Sequence, residues 1–156
     1  MRLRQLWIVL VVALAVACGG SKKQEDTMAA GSAGAAADTR SLYDRLGGKD
    51  AITVVVGDFV ANVVADDKIK HYFANTDLKE FKAKLVDQVC EATGGPCKYT
   101  GKDMKTAHTG MKLTEDDFNA LVGDLVKALD QHKVPERDKN ELLGKLGPMK
   151  GDIVGH

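Results

Sequence analysis

Aromatic side chains make up only 5% of this 156-residue chain, and its 22 basic residues are balanced by 22 acidic ones. A nucleic-acid binder needs a basic stripe with interleaved aromatics. Lysines and carboxylates are instead mixed along the sequence, which argues against that partner. No apolar run is long enough to span a bilayer as a helix; the stretch from Leu6 to Ala17 falls short. No G-x-G-x-x-G motif is present, so any redox turnover would depend on an outside reductase. The three cysteines, Cys18, Cys90 and Cys97, include no C-x-x-C pair of the thioredoxin type. Period-two alternation is missing too, so no strand competes with the helical patterns described below.

What is present begins with an export signal. Arg2 and Arg4 precede the Leu6 to Ala17 run, which has the length of a signal peptide, and Ala15-Val16-Ala17-Cys18-Gly19 resembles a bacterial lipobox with Ala15 in place of the commoner leucine. The expected organisation is a signal peptide over 1–17, a lipid-anchored flexible tether over 18–38 and a globular domain over 39–156. Lipidation of Cys18 would hold the protein at the cell envelope, facing the periplasm. The rival reading is ordinary cleavage after Ala17, which leaves a soluble periplasmic protein. Residues 19–38 are Gly, Ser, Ala, Lys and Glu with almost no large apolar side chain, too little to offset ordering entropy. As a coil of about twenty residues they reach roughly 25 Å.

The remainder is the size of one small all-helical domain. Ile52, Val55, Val56, Phe59, Val60 and Val63 form a helical stripe, and Asp77 followed by Glu80 reads as a capping-box-like start for Leu78, Phe81, Leu85 and Val89. Thr114 can cap a helix carrying Phe118, Leu121, Val122, Leu125 and Leu129. Pro135 suits the first turn of another carrying Leu142, Leu143, Leu146 and Met149. Between them, Asp103 to Ala107 forms a turn or two that sets Met104 and His108 four residues apart on one face. Periodicity alone shows four amphipathic helices, and a four-helix bundle without cofactor has the same pattern.

The choice comes from an ordered set of motifs. These are Ser41-Leu42-Tyr43-Asp44-Arg45-Leu46-Gly47-Gly48, Ala65-Asp66-Asp67, Tyr72-Phe73-Ala74-Asn75-Thr76-Asp77, Thr93-Gly94-Gly95-Pro96, Tyr99-Thr100-Gly101 and Met104-Lys105-Thr106-Ala107-His108-Thr109-Gly110. Together they resemble the group I truncated haemoglobins, from Ser41 to Gly110 and more weakly on to Ile153. The resemblance implies an all-α truncated globin, a two-over-two helical sandwich around haem b. His108 is then the axial ligand of the iron, one ring nitrogen on the metal and the other N–H on a carbonyl. His71, His132 and His156 match no such role.

The same resemblance places Phe59 and Phe73 in the pocket, each of which could equally be plain core. It brings Lys84 and Tyr99 within reach of the haem propionates. Met104, Leu113, Phe118 and Leu121 complete an apolar lining. The departures concern the distal side: Val60 stands where the family usually has tyrosine, and Phe81 and Leu85 stand where glutamine often faces the ligand. A hydrogen-bond donor to a partly anionic gas contributes about 1.5–3 kcal/mol, so its loss is expected to weaken oxygen retention and to shift preference toward carbon monoxide and nitric oxide. Gln88, three residues past Leu85, is expected on the helix flank, with an inward turn as the alternative. In an oxidising envelope Cys90 and Cys97 are expected to pair, with free, packed thiols as the alternative.

The expected function is binding of a diatomic gas (O2, NO or CO) at ferrous haem, in oxygen carriage or in nitric oxide dioxygenation fed by an external reductase. Two alternatives remain open: a gas sensor or haem-holding module without turnover, and a haem-free structural lipoprotein.

Overall fold

The computed structural model describes residues 38–156. The expected signal peptide, the lipidation site Cys18 and all of the tether but Asp38 lie outside the described residues. Asp38 itself is ion-paired to Arg40 and Arg137. Among the described residues the chain is all-helical, and no helix is long and apolar enough to cross a membrane.

Helix α1 (Leu42–Arg45) is capped by the Ser41 side chain and runs into α2 (Gly48–Ala65) through Gly47, at φ 93°. A side chain at Gly47 would sit in the left-handed region with its Cβ 2.9 Å from that of Ala51, so only glycine joins the two helices this closely. Helix α2 is the spine of the core. Ile52, Val56, Phe59, Val60 and Val63 are buried along it, and it packs against both α3 (Leu78–Ala92) and α5 (Glu115–Gln131). Burying a side chain of this kind stabilises by about 1.5–3 kcal/mol.

Between α2 and α3, a 3₁₀ turn over Lys70–Phe73 follows the buried Ile69. Asp77 caps α3 by accepting from the N–H groups of both Lys79 and Glu80, without the reciprocal Glu80 bond that a capping box requires. The full capping box belongs to α5, where the Thr114 and Asp117 side chains each take the other's backbone N–H. Three acidic residues in that first turn also suit the positive end of the helix dipole.

The last expected helix is corrected in two places. Pro135 occupies the N-cap position rather than the first turn of α6 (Glu136–Leu146), and α6 stops at Leu146, so Met149 lies outside it. Pro148 has no N–H to continue the ladder and its ring crowds the preceding turn. The chain therefore passes through a 3₁₀ turn at Gly147–Met149 into a separate short helix, α7 (Lys150–Ile153).

Helix α6 is fastened to α1 by a buried ionic knot. Asp138, 2% exposed, accepts from Arg45 Nε at 2.8 Å and from Arg137 Nε at 2.9 Å. Burial pushes its carboxyl up, but the Arg137 and Arg45 guanidiniums bring it below the ordinary carboxylate range. Leu142 carries the α6 contribution to the hydrophobic core.

Candidate functional site

Helix α4 (Met104–His108) is the short segment anticipated around the histidine. The Asp103 side chain caps it through the Thr106 N–H at 2.9 Å, and hydrogen bonds from the Thr106 hydroxyl and N–H hold the Asp103 carboxyl below its ordinary range. One turn on, His108 Nδ1 lies 2.7 Å from the Met104 carbonyl oxygen. A carbonyl only accepts, so Nδ1 carries a proton, and in the neutral form of the half-buried ring the Nε2 lone pair is the one that can meet a metal. That donor arrangement fits a haem iron: an imidazole oriented through Nδ1 with Nε2 left unengaged, on a helix with no buried residue of its own.

The loop between α3 and α4 is built by several fastenings. Cys90, fully buried at the end of α3, is joined to Cys97 by a disulfide. Gly95 nests inside this small ring, and a Cβ there would come within 2.6 Å of Cys90 Sγ and closer still to the Tyr43 ring. The carboxylate of Glu91 accepts the Tyr99 N–H at 2.9 Å and pairs with Lys98 at 3.1 Å. The Tyr99 hydroxyl donates to the Lys102 carbonyl at 2.8 Å, while burial, with Asp103 adding to it, pushes that phenol up. Lys84 Nζ, reaching from α3, meets Thr100 Oγ1 at 2.9 Å. Lys84 is thus drawn to the Tyr99–Thr100 segment, while the single phenol hydrogen of Tyr99 is taken by Lys102 and is not left for a propionate as the resemblance implied. An ammonium there retains two further hydrogens for a carboxylate.

The other site residues divide into two groups. Phe59 and Val60 are buried in the core, at 6% and 1% exposure. Phe73, Phe81, Leu85 and Leu121 are half-buried against that core, and the Phe73 and Phe81 rings lie 5.3 Å apart at a tilt of 46°. On the other side, Phe118 lies under Lys150 Nζ at 5.7 Å, and the Leu113 carbonyl takes the Gly155 N–H at 2.9 Å. Met104 is half-buried at the start of α4. The side chains at the three positions that the resemblance assigns to the distal side, Val60, Phe81 and Leu85, are hydrocarbon and donate no hydrogen bond.

Gln88 departs from its expected place on the helix flank. It is half-buried, its Nε2 lying 3.5 Å from Met104 Sδ and 3.7 Å from Met149 Sδ. Sequence reasoning also missed Met149 and the chain end, where the His156 carbonyl accepts the Lys112 N–H at 2.8 Å. A signal for Gln88 was available: Leu78, Phe81, Leu85 and Gln88 are spaced three, four and three apart, the repeat of one inward helix face.

The bacterial-like globin family matches residues 41–154 of the chain. Among curated proteins, the group 1 truncated haemoglobin GlbN of Mycolicibacterium paratuberculosis is 38% identical over 118 residues, 76% of this chain and 87% of that protein. The group 1 truncated haemoglobin of Tetrahymena pyriformis is 33% identical over 116 residues, 74% of this chain and 96% of that protein. Its crystal structure in the Fe(III) form superimposes with a TM-score of 0.73 at 32% identity, over 75% of this chain and all of that one. A Synechococcus 2/2 haemoglobin, in the cyanomet state and with covalently attached haem, gives a TM-score of 0.71 at 29% identity over 75% of this chain. The chain thus belongs to the bacterial-like globin family and, within it, to the haem-binding group 1 truncated haemoglobins.

Proposed function

We propose that His108 is the proximal ligand through which this globin takes a diatomic gas, and that an apolar distal side sets which gas it keeps. The observation that carries the reading is the His108 Nδ1 bond to the Met104 carbonyl at 2.7 Å, which leaves Nε2 as the nitrogen for the iron. Haem b, when bound, supplies the ferrous iron at which the gas is held. The chain's own residues do the rest. The Met104 carbonyl orients the imidazole, and the Lys84 ammonium, with two hydrogens still free beside Thr100, receives a propionate. Val60, Phe81 and Leu85 keep water out and offer no donor. A gas that gathers negative charge on binding therefore forgoes about 1.5–3 kcal/mol relative to a pocket with a donor.

This selectivity favours carbon monoxide and nitric oxide over dioxygen, and so a sensing or scavenging role over oxygen storage. Nitric oxide dioxygenation would need an external reductase. Anchoring through a lipidated Cys18, with the domain held off the membrane by the 18–38 tether, rests on the Arg2 to Gly19 signal pattern.

The test is the visible spectrum of the haem-loaded, reduced protein under carbon monoxide, beside His108→Ala. A one-to-one histidine-type ferrous carbonyl spectrum that the variant loses is the expected outcome. Identical spectra from the two proteins would remove His108 from the iron.

A further inference from the structure

Helix α4 has only five residues, none of them buried, and an isolated helix of that length does not hold itself together in water. Its internal fastenings are local: Asp103 to Thr106, His108 to Met104, and Thr109 to the Lys105 carbonyl. Outside itself, α4 packs on α7, and the segment after it is tied to the chain end through Lys112 with His156 and Gly155 with Leu113. Among the described residues, one side-chain hydrogen bond joins α4 to another helix. It runs from Gln88 on α3 to Met104 Sδ.

We propose that Gln88 is a positioning residue for the iron ligand: its amide clasps the Met104 and Met149 sulfurs at once and so sets where α4 holds His108. The amide group has two N–H hydrogens, one for each sulfur, at 3.5 and 3.7 Å. Met104 is both the residue clasped and the residue whose carbonyl orients the His108 ring. Any displacement of Met104 is therefore handed directly to the imidazole. Through Met149 the same amide braces the turn leading into α7, against which α4 packs. Gln88 thereby links the helix that carries the distal positions Phe81 and Leu85 to the helix that carries the proximal ligand.

A thioether is a weak acceptor, so each bond lies at the low end of ordinary hydrogen bonds. The pair is worth about fivefold in an equilibrium constant. Leucine at position 88 would fill the same space without donating, which separates direction from packing.

This inference rests on the haem reading for its functional consequence, and the measurements are arranged so that the two can fail separately. In the full chain without haem, Gln88→Leu is expected to raise the hydrogen-exchange rates of the Ala107 and Met111 amides, which close onto Asp103 and His108, by about fivefold. With haem loaded, the same variant is expected to shift and broaden the iron–histidine stretching band and to speed haem transfer to excess apomyoglobin by a similar factor, leaving the C–O stretch of the carbonyl complex unchanged. Met104→Leu should have a like effect, and the double variant should fall well short of the product of the two single effects, because both remove one contact. Unchanged exchange in the haem-free Gln88→Leu chain would overturn the clasp whether or not haem binds. A moved C–O stretch with an unmoved iron–histidine band would overturn it too, by making Gln88 a distal donor instead.

Discussion

Reduction of the Cys90–Cys97 disulfide is expected to lower the midpoint of thermal unfolding by about 10 °C. The bridge spans a sequence separation of seven, and closing so small a loop removes about 2.5 kcal/mol of chain entropy from the unfolded state. The described domain is about 120 residues, for which the unfolding entropy near the midpoint is roughly 0.25 kcal/mol/K, and the ratio of the two gives the shift. Reduction removes no heavy atom, so it deletes no side chain beside Gly95. The Gly95 N–H to Cys90 carbonyl bond at 2.8 Å closes the same turn in the folded state whether or not the sulfurs are joined, so the effect falls mainly on the unfolded chain. The assay is far-ultraviolet circular dichroism against temperature, on oxidised and phosphine-reduced protein, with Cys90→Ser/Cys97→Ser as a variant that should ignore the reductant. A difference of less than 2 °C between oxidised and reduced wild type would refute the entropic account.

Three further outcomes follow from single side chains. Leu85→Gln puts an amide on the distal face at nearly constant volume, and dioxygen escape measured by stopped flow should slow by about one to two decades; an unchanged rate would mean that position 85 does not face the ligand. Asp138→Asn breaks the buried pairing with Arg45 and Arg137 and should cost about 3–5 kcal/mol in urea unfolding at pH 7. Because the folded carboxyl lies below its ordinary value of 3.8, its contribution is present above that pH and lost as pH falls through the lowered value, so the variant's penalty should shrink in acid. Asp124 runs the other way: burial, with Asp66 adding to it, pushes its carboxyl up, and Oδ2 has no hydrogen-bond partner. Its charged form costs stability as pH rises through the raised folded value, so Asp124→Asn should stabilise by about 1 kcal/mol at pH 7, and the gain should vanish below pH 3.8, read as the midpoint difference across a pH series.

The helices and several of their starts were legible in the sequence because their causes are local. Asp77 and Thr114 cap the N–H groups beside them, the Gly47-Gly48 pair turns the chain where only glycine does so easily, and the apolar stripe from Ile52 to Val63 buries itself whatever it packs against. The break between α6 and α7 was equally local, since Pro148 carries it, although the apolar spacing from Leu142 to Met149 reads as one continuous helix. The histidine segment was picked out through its resemblance to the truncated haemoglobins, and its bond to the Met104 carbonyl is a matter of one helical turn.

What the tertiary structure alone decided is which partners the long polar side chains meet. Gln88 has the flexibility to reach solvent or to turn inward, and only the arrival of Met104 and Met149 from distant parts of the chain gives its amide two acceptors. The Tyr99 hydroxyl turns to the Lys102 carbonyl because Glu91 and the disulfide fold the loop back on itself. Asp138 becomes an ionic anchor because α1 delivers Arg45 to it from ninety-three residues away. A pattern of apolar residues sets which face of a helix is buried, through a free energy that depends only on area. The partner of a polar atom depends on distance and direction, and those exist only once the helices have met.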